Sequence, residues 1–247
     1  MLSEKASLLR DALAKPALTE ATGRACLGYD PVDQALKGGL RRGALHEVFA
    51  SAGHEAAATG FAAGLVMRLA KGRQVFWISQ EFASREHGAF CPSGFFEFGL
   101  DPSRFIFLSA VRLQDILRAA GDALACAGLG AVIVEIMGNP KALDLTASRR
   151  LVLASARNSV PSILLRLGAT PQASAAETRW LVKAAPSPPE INDWGQPMFD
   201  VSLIRNRQGR TGQWVFSWSC DDGRFEEAKA AFGAVVSTPA NRQAEAA

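Results

Sequence analysis

The stretch from Arg42 to Ala70, RGALHEVFASAGHEAAATGFAAGLVMRLA, constrains the fold more than any other part of the chain. It opens with an apolar run at Ala44, Leu45, Val48 and Phe49, passes through a loop of small residues, and continues with helical periodicity. Phe61, Leu65 and Leu69 recur at i, i+4 and i+8, flanked by Ala58, Ala62 and Val66, which predicts a helix with a buried face. Strand, tight loop and buried helix, in that order, form the setting in which P-loop proteins hold nucleotide phosphates.

The residues that do the chemistry in that setting are missing. A working phosphate loop reads G-x-x-x-x-G-K-[ST]. Its glycines turn backbone N–H groups toward the phosphates, its lysine neutralises the β/γ charge, and its hydroxyl holds Mg²⁺. Aligned to the end of the predicted strand, the positions are Ala50, Ser51, Ala52, Gly53, His54, Glu55, Ala56 and Ala57. Glu55 replaces the second glycine, Ala56 the lysine and Ala57 the hydroxyl. Starting the frame at Gly53 brings Thr59 and Gly60 into the last two places, again without a lysine. A carboxylate facing a triphosphate repels it by roughly a few kcal/mol at an effective dielectric of about 20. The expectation is a P-loop fold with a dismantled phosphate site and no cofactor.

A chain of 247 residues, 48% hydrophobic and 21% charged, suits one large α/β domain, or one domain with extensions, with a real core. Its formal net charge of +3 provides no strong overall field, so any nucleic-acid contact must come from a local patch. No run approaches the ~18–20 apolar residues of a membrane span. The opening MLSEKASLLR lacks the order of a signal peptide, so the expected compartment is the cytoplasm. Cys26, Cys91, Cys126 and Cys220 are far apart, and His46, His54 and His87 make no H-E-x-x-H spacing. Buried reduced thiols and no metal site are expected.

In chain order, Leu2 to Leu13 is predicted as a leader helix, and Asp30-Pro31 opens a short helix that Gly38-Gly39 closes. Buried strands are predicted at Gln74 to Ser79, Phe105 to Leu108, Ala131 to Val134 and Ser162 to Leu167. Between them fall a Phe-rich helix from Pro92 and helices marked by Leu113, Ile116, Leu117, Ala120 and Leu124 and by Ser148, Leu151, Val152 and Ser155. The last of these turns Arg149, Arg150 and Arg157 outward as a charged face. Apolar strands alternating with helices predict a mostly parallel sheet covered on both faces. Arg179 to Lys183 is a further candidate strand, followed by a Pro-rich connection to Asn192. Phe199 to Ile204 and Gln213 to Ser219 bracket RNRQGRTG as an antiparallel hairpin at the sheet edge, with Trp214 and Trp218 on one, core-facing side. The expected organisation is a leader at 1–24, a core domain at 25–234 and a disordered tail at 235–247.

This order of elements resembles the RecA-like ATPase core. More narrowly, LGYDPVDQALKGGLRRGALHEVF, GAVIVEI and FDVSLIRNRQGRTGQWVFSWSCDDGRF are similar to segments of the ImuA family, RecA-related proteins of bacterial mutagenesis cassettes. The resemblance extends from about Leu27 to Phe225. It implies a DNA-damage-induced accessory factor of the SOS response, acting in translesion synthesis and mutagenesis. The partners it implies are an ImuB-type, inactive Y-family polymerase homologue, an error-prone replicative-type polymerase and RecA itself. Homo-oligomerisation is left open.

The resemblance also points to individual residues. In RecA-like enzymes a glutamate after the second strand activates the attacking water, and Glu81 falls there. A Walker B carboxylate ends the fourth strand, and Glu135 sits there, with Glu in place of the usual Asp. Both are vestigial catalytic candidates, because phosphoryl transfer depends on positioning and charge neutralisation that this loop does not supply. The plain alternative is a polar group where a buried strand surfaces. Arg205, Asn206, Arg207 and Arg210 resemble the K-N-R-x-G stretch that lies near a subunit or phosphate contact, which makes them the candidate partner or DNA contact. A solvated hairpin tip is the competing reading.

Three other functions stay open at this level. A weak ATPase would use Glu81 and Glu135 with a rearranged loop or with a lysine such as Lys71 from elsewhere, and the missing lysine at Ala56 argues against it. Direct single-stranded DNA binding through local arginines would show steep salt dependence. A SulA-like inhibitor of cell division fits the chain length and the fuller ATPase-like core less well than ImuA does.

Overall fold

Among the described residues, apolar runs and helical stripes alternate along the chain and become its strands and helices. The computed structural model describes residues 23–82, 88, 90–188 and 195–228. The expected leader helix, the tail and part of the Pro-rich connection lie outside the described residues. In order, the elements are β1 (Arg24–Ala25), α1 (Asp30–Ala35), β2 (Leu40–Arg41), β3 (Leu45–Ala50), α2 (Glu55–Ala70), β4 (Val75–Gln80), α3 (Pro92–Glu97) and β5 (Phe105–Ala110). They continue with α4 (Leu113–Leu124), β6 (Ala131–Met137), α5 (Leu145–Asn158), β7 (Ser162–Leu167), β8 (Thr178–Ala184), β9 (Met198–Asn206), β10 (Gly212–Ser219) and β11 (Arg224–Glu227).

One nine-stranded sheet carries the fold, in the order β11-β10-β9-β8-β3-β7-β6-β4-β5. The strands from β8 to β5 run parallel, and β9, β10 and β11 extend the sheet antiparallel. This is the mostly parallel sheet with an antiparallel hairpin toward its C-terminal edge that the sequence predicts. The extension is one strand longer than expected, because β11 pairs with β10 and forms the outer edge. Four residues are too few to show an alternating pattern, so β11 left no signal beyond Phe225.

The faces are covered unequally. On one side α2 lays Phe61, Leu65, Leu69, Ala58, Ala62 and Val66, all fully buried, against the sheet. Trp218 and Phe225 press onto α2 at Gly64, where an added Cβ would lie 2.7 Å from the Phe225 ring and 3.0 Å from that of Trp218. Trp218 is fully buried and Trp214 packs at the rim of the same cluster, as expected. On the other side α4 and α5 cover Leu45, Ile78, Val132, Val134 and Leu164. Arg149, Arg150 and Arg157 of α5 are exposed, as expected.

Two expectations fail here. Strand β5 is not covered on both faces: it pairs only with β4, and Ile106 and Phe107 are 44% and 43% exposed. The thiols are not buried either. Cys26, Cys91 and Cys126 are exposed, because they lie after β1, at the N-cap of α3 and beyond the end of α4, not on an inner face.

His46 on β3 has no exposure and closes a buried relay. The Trp180 indole N–H donates to the Thr178 hydroxyl at 2.9 Å, that hydroxyl bonds His46 Nδ1 at 2.7 Å, and Nε2 lies 3.0 Å from the Arg41 carbonyl. The carbonyl can only accept, so Nε2 carries the proton and Nδ1 accepts. Burial drives the His46 pKa from 6.5 down to about 4. Between these values the unfolded chain binds a proton that the fold excludes. Stability is therefore full above about pH 6.5 and declines as pH falls toward about 4, by about 3 kcal/mol in total. Urea unfolding at about pH 7 and about pH 4.5 should show a loss smaller by about 2–3 kcal/mol in His46→Gln than in the parent chain. Equal losses would contradict the assignment.

Candidate functional site

The β3–α2 connection sits at the C-terminal end of the parallel strands, where α/β sheets place ligands. Helix α2 begins at Glu55, which matches the frame that starts at Ala50. Thr59 and Gly60 lie inside the helix, so the frame that starts at Gly53 does not describe the loop. Three of the loop amides already have partners. Ser51 N–H donates to Val182 O at 3.1 Å, and His54 N–H to Ser51 O at 2.9 Å. Gly53, at φ +78°, donates its N–H to the Glu55 carboxylate at 3.3 Å. The anion at this helix N-terminus is the chain's own Glu55, favoured there by the helix dipole. His54 Nδ1 accepts from the Ala184 N–H at 3.1 Å and ties the loop to β8.

A cavity of about 490 Å³ opens beside the loop. Gly53, Glu55 and Ala56 line it from the loop side, and Trp77, Glu135 and Leu167 from the sheet. Ala50 and Ala57 are not part of its wall. Its outer wall is aromatic: Phe90, Phe95 and Phe98, from α3 and its flanks. Phe90 lies 4.5 Å from Trp77 and 4.6 Å from Phe107, and Phe98 stacks on Trp218 at 5.5 Å. Phe98 also rests on α2 at Gly60, 3.4 Å from the position of a Cβ. Among the described residues the charged groups lining the cavity are Glu55 and Glu135, with no Lys or Arg. Such a wall accepts apolar groups and hydrogen-bond donors, and none of its described residues offers a polyphosphate a counter-charge.

The two candidate carboxylates have different surroundings. Glu135, 6% exposed, accepts from the Trp77 indole N–H at 2.9 Å and faces the cavity. Glu81 follows the end of β4, is half-buried, and is not part of the cavity wall. Lys71 sits just beyond the C-terminal end of the 16-residue α2, roughly 24 Å along the helix from the loop, so it does not substitute for the missing lysine. Sequence reasoning did not single out the aromatic wall or Cys91, which lies at its edge. The Cys91 thiol hydrogen-bonds Ser93 at 3.0 Å, and this bond holds its pKa below the usual value. The Phe-rich composition before and within α3 was the available signal.

The arginine-rich turn lies elsewhere. Strand β9 pairs Asn206 with Thr178, at the start of β8, whereas the loop adjoins the end of β8 at Val182. The turn and the cavity are thus at opposite ends of the sheet. Asn206 is committed to the turn: its amide donates to Ala35 O and Arg210 O, both at 3.0 Å, and its carbonyl oxygen accepts from Gln208 N–H at 3.2 Å. Arg205 is half-buried and donates to Ser174 O at 3.0 Å; burial, then the Arg207 and Arg179 charges, push its pKa down. Arg207 and Arg210 are exposed. Among the described residues no three His, Cys, Asp or Glu form a group that could hold a metal ion, and no helix is long and apolar enough to cross a membrane.

No protein-family model matches the chain. The crystal structure of the RadB recombinase is similar in fold, with a TM-score of 0.57 at 17% identity, covering 83% of this chain and all of that one. That likeness shows a RecA-like fold and nothing finer. Protein ImuA of Caulobacter vibrioides, from strain NA1000 / CB15N and from strain ATCC 19089 / CIP 103742 / CB 15, is 34% identical over 196 residues, covering 72% of this chain and 76% of the relative. With three co-linear segments similar to that family and a RecA-like sheet beneath them, the chain belongs to the ImuA family.

Proposed function

We propose that the chain is a non-catalytic, RecA-fold scaffold of DNA-damage-induced translesion synthesis. It binds an ImuB-type polymerase homologue and, through it, error-prone polymerase machinery. One observation carries this reading: the chain's own Glu55 carboxylate holds the Gly53 amide at the place where a phosphate would bind. Ala56 and Ala57 stand beside it in place of lysine and hydroxyl. A RecA-like sheet kept without phosphate chemistry fits a protein whose surface is its function.

The exposed Arg207 and Arg210, with Arg205 beside them, are the contact suggested by the family likeness. In a quantitative pull-down of the ImuB-type homologue, Arg207→Ala and Arg210→Ala should each weaken binding by about 1 kcal/mol or more, roughly fivefold. Asn206→Ala should lower the chain's stability instead, because its bonds are internal. Unchanged binding after Arg205, Arg207 and Arg210 are each replaced by alanine would remove this turn as the interface.

A further inference from the structure

Helices α4 and α5 leave a groove of about 500 Å³ between them, on the sheet face away from α2. Leu117 and Gly121 of α4 and Ala147 and Leu151 of α5 line its floor, and Arg118 and Arg150 line its banks. Residues 117, 118 and 121 share one face of α4, and 147, 150 and 151 share one face of α5.

Two observations ask for an occupant. The first is Gly121. It lies inside α4, has no positive φ among those recorded, and a Cβ there would meet nothing within 4 Å. Glycine inside a helix is unfavourable relative to alanine, and no packing within the described residues requires it here. A side chain there would project into the open space of the groove. The second is charge. Arg118 and Arg150 are exposed and make no hydrogen bond or ion pair among the described residues, and Lys141, Arg149 and Arg157 add positive charge nearby on α5 and the segment before it. Three acids lie among these cations: Asp144 lines the groove and caps α5 at the Ala147 N–H, Asp115 pairs with Arg112, and Asp122 is exposed beside Gly121, so positive charge stays in excess.

We propose that this groove docks an acidic, amphipathic helix of a protein partner. An aliphatic side chain rests over Gly121, and carboxylates pair with Arg118 and Arg150. The mode is helix-in-groove recognition, in which apolar anchors enter the groove and charge fixes register. A single-stranded nucleic acid fits less well, since the floor is aliphatic and has no aromatic surface on which bases stack. The inference rests on the scaffold reading above, and the partner it concerns is the polymerase-related one.

The test uses the full chain, the full-length polymerase homologue and peptides tiled along that homologue. Binding to the homologue should fall at least about tenfold in Arg118→Glu/Arg150→Glu, and the peptides captured by the parent chain should be acidic with leucines at helical spacing. Gly121→Leu should also block binding. Gly121→Ala should raise the melting temperature while weakening binding, a split that a purely structural glycine would not show. Undiminished binding after the double charge reversal would overturn the groove and leave the scaffold reading standing. A parent chain that fails to bind the full-length homologue would overturn both. Capture of oligo-dT that is lost in the double reversal, with no acidic peptide selected, would assign the groove to nucleic acid and overturn the proposal.

Discussion

Glu47→Ala should destabilise the fold by about 3–5 kcal/mol, because it leaves buried cations without their partner. Glu47 lies on β3 with 1% exposure, accepts from Arg179 Nε at 2.9 Å and from the Ser174 hydroxyl at 2.7 Å. Arg179, 9% exposed, also donates to the Ser174 hydroxyl at 2.8 Å. Arg166, 3% exposed, has its pKa lowered by burial, with the Glu47 charge opposing that shift. Both guanidinium groups approach the Phe49 ring, at 5.5 and 5.7 Å. Without Glu47 the Arg166 and Arg179 charges repel each other in a medium that screens poorly, and the Ser174 segment leading into β8 loses its anchor. Glu47→Gln keeps an oxygen that can accept one of these bonds and should lose less. Urea unfolding measures both; a loss below about 1 kcal/mol for Glu47→Ala would mean that solvent reaches the cluster.

Phe61→Ala should be comparably damaging, at about 3–5 kcal/mol, which for a domain of this size lowers the melting temperature by roughly 6–20 °C. Phe61 is fully buried, with its ring centroid 5.6 Å from Trp180, 6.0 Å from Phe199, 5.9 Å from Phe216 and 5.3 Å from Phe225. It therefore joins α2 to β8 and to all three antiparallel strands at once. The cavity left by alanine is bounded by rigid rings that cannot collapse into it. Calorimetry of Phe61→Leu beside Phe61→Ala should show the smaller loss in leucine. A fall of less than about 1 kcal/mol in the alanine variant would mean that the antiparallel strands are held by something other than this cluster.

The parallel part of the fold was legible because its signals are local. The Phe61, Leu65 and Leu69 stripe, and the short apolar runs that became β4, β6 and β7, carry their period within one element. What escaped depends on pairing over distance. Glu47 and Arg179 are 132 residues apart, and nothing in LHEVFA marks its glutamate as half of a buried ion pair. The exposure of β5 follows from its place at the end of the strand order, which alternation within one strand cannot reveal. At the loop, composition showed that the lysine was gone, but not that Glu55 turns back onto Gly53. Glu81 and Glu135 looked alike as carboxylates near strand ends. Only the sheet geometry places Glu135 in the cavity wall and Glu81 outside it.

The most direct test is calorimetric titration of Mg-ATP into the purified full chain, with phosphate release followed with and without single-stranded DNA. Glu81→Ala/Glu135→Ala is run beside the parent chain. A loop closed by its own carboxylate, beside a cavity lined by no cation among the described residues, should give no saturable heat up to about millimolar nucleotide and only background phosphate release. Saturable binding with turnover that disappears in the double variant would contradict the dismantled site and make the chain an ATP-driven factor.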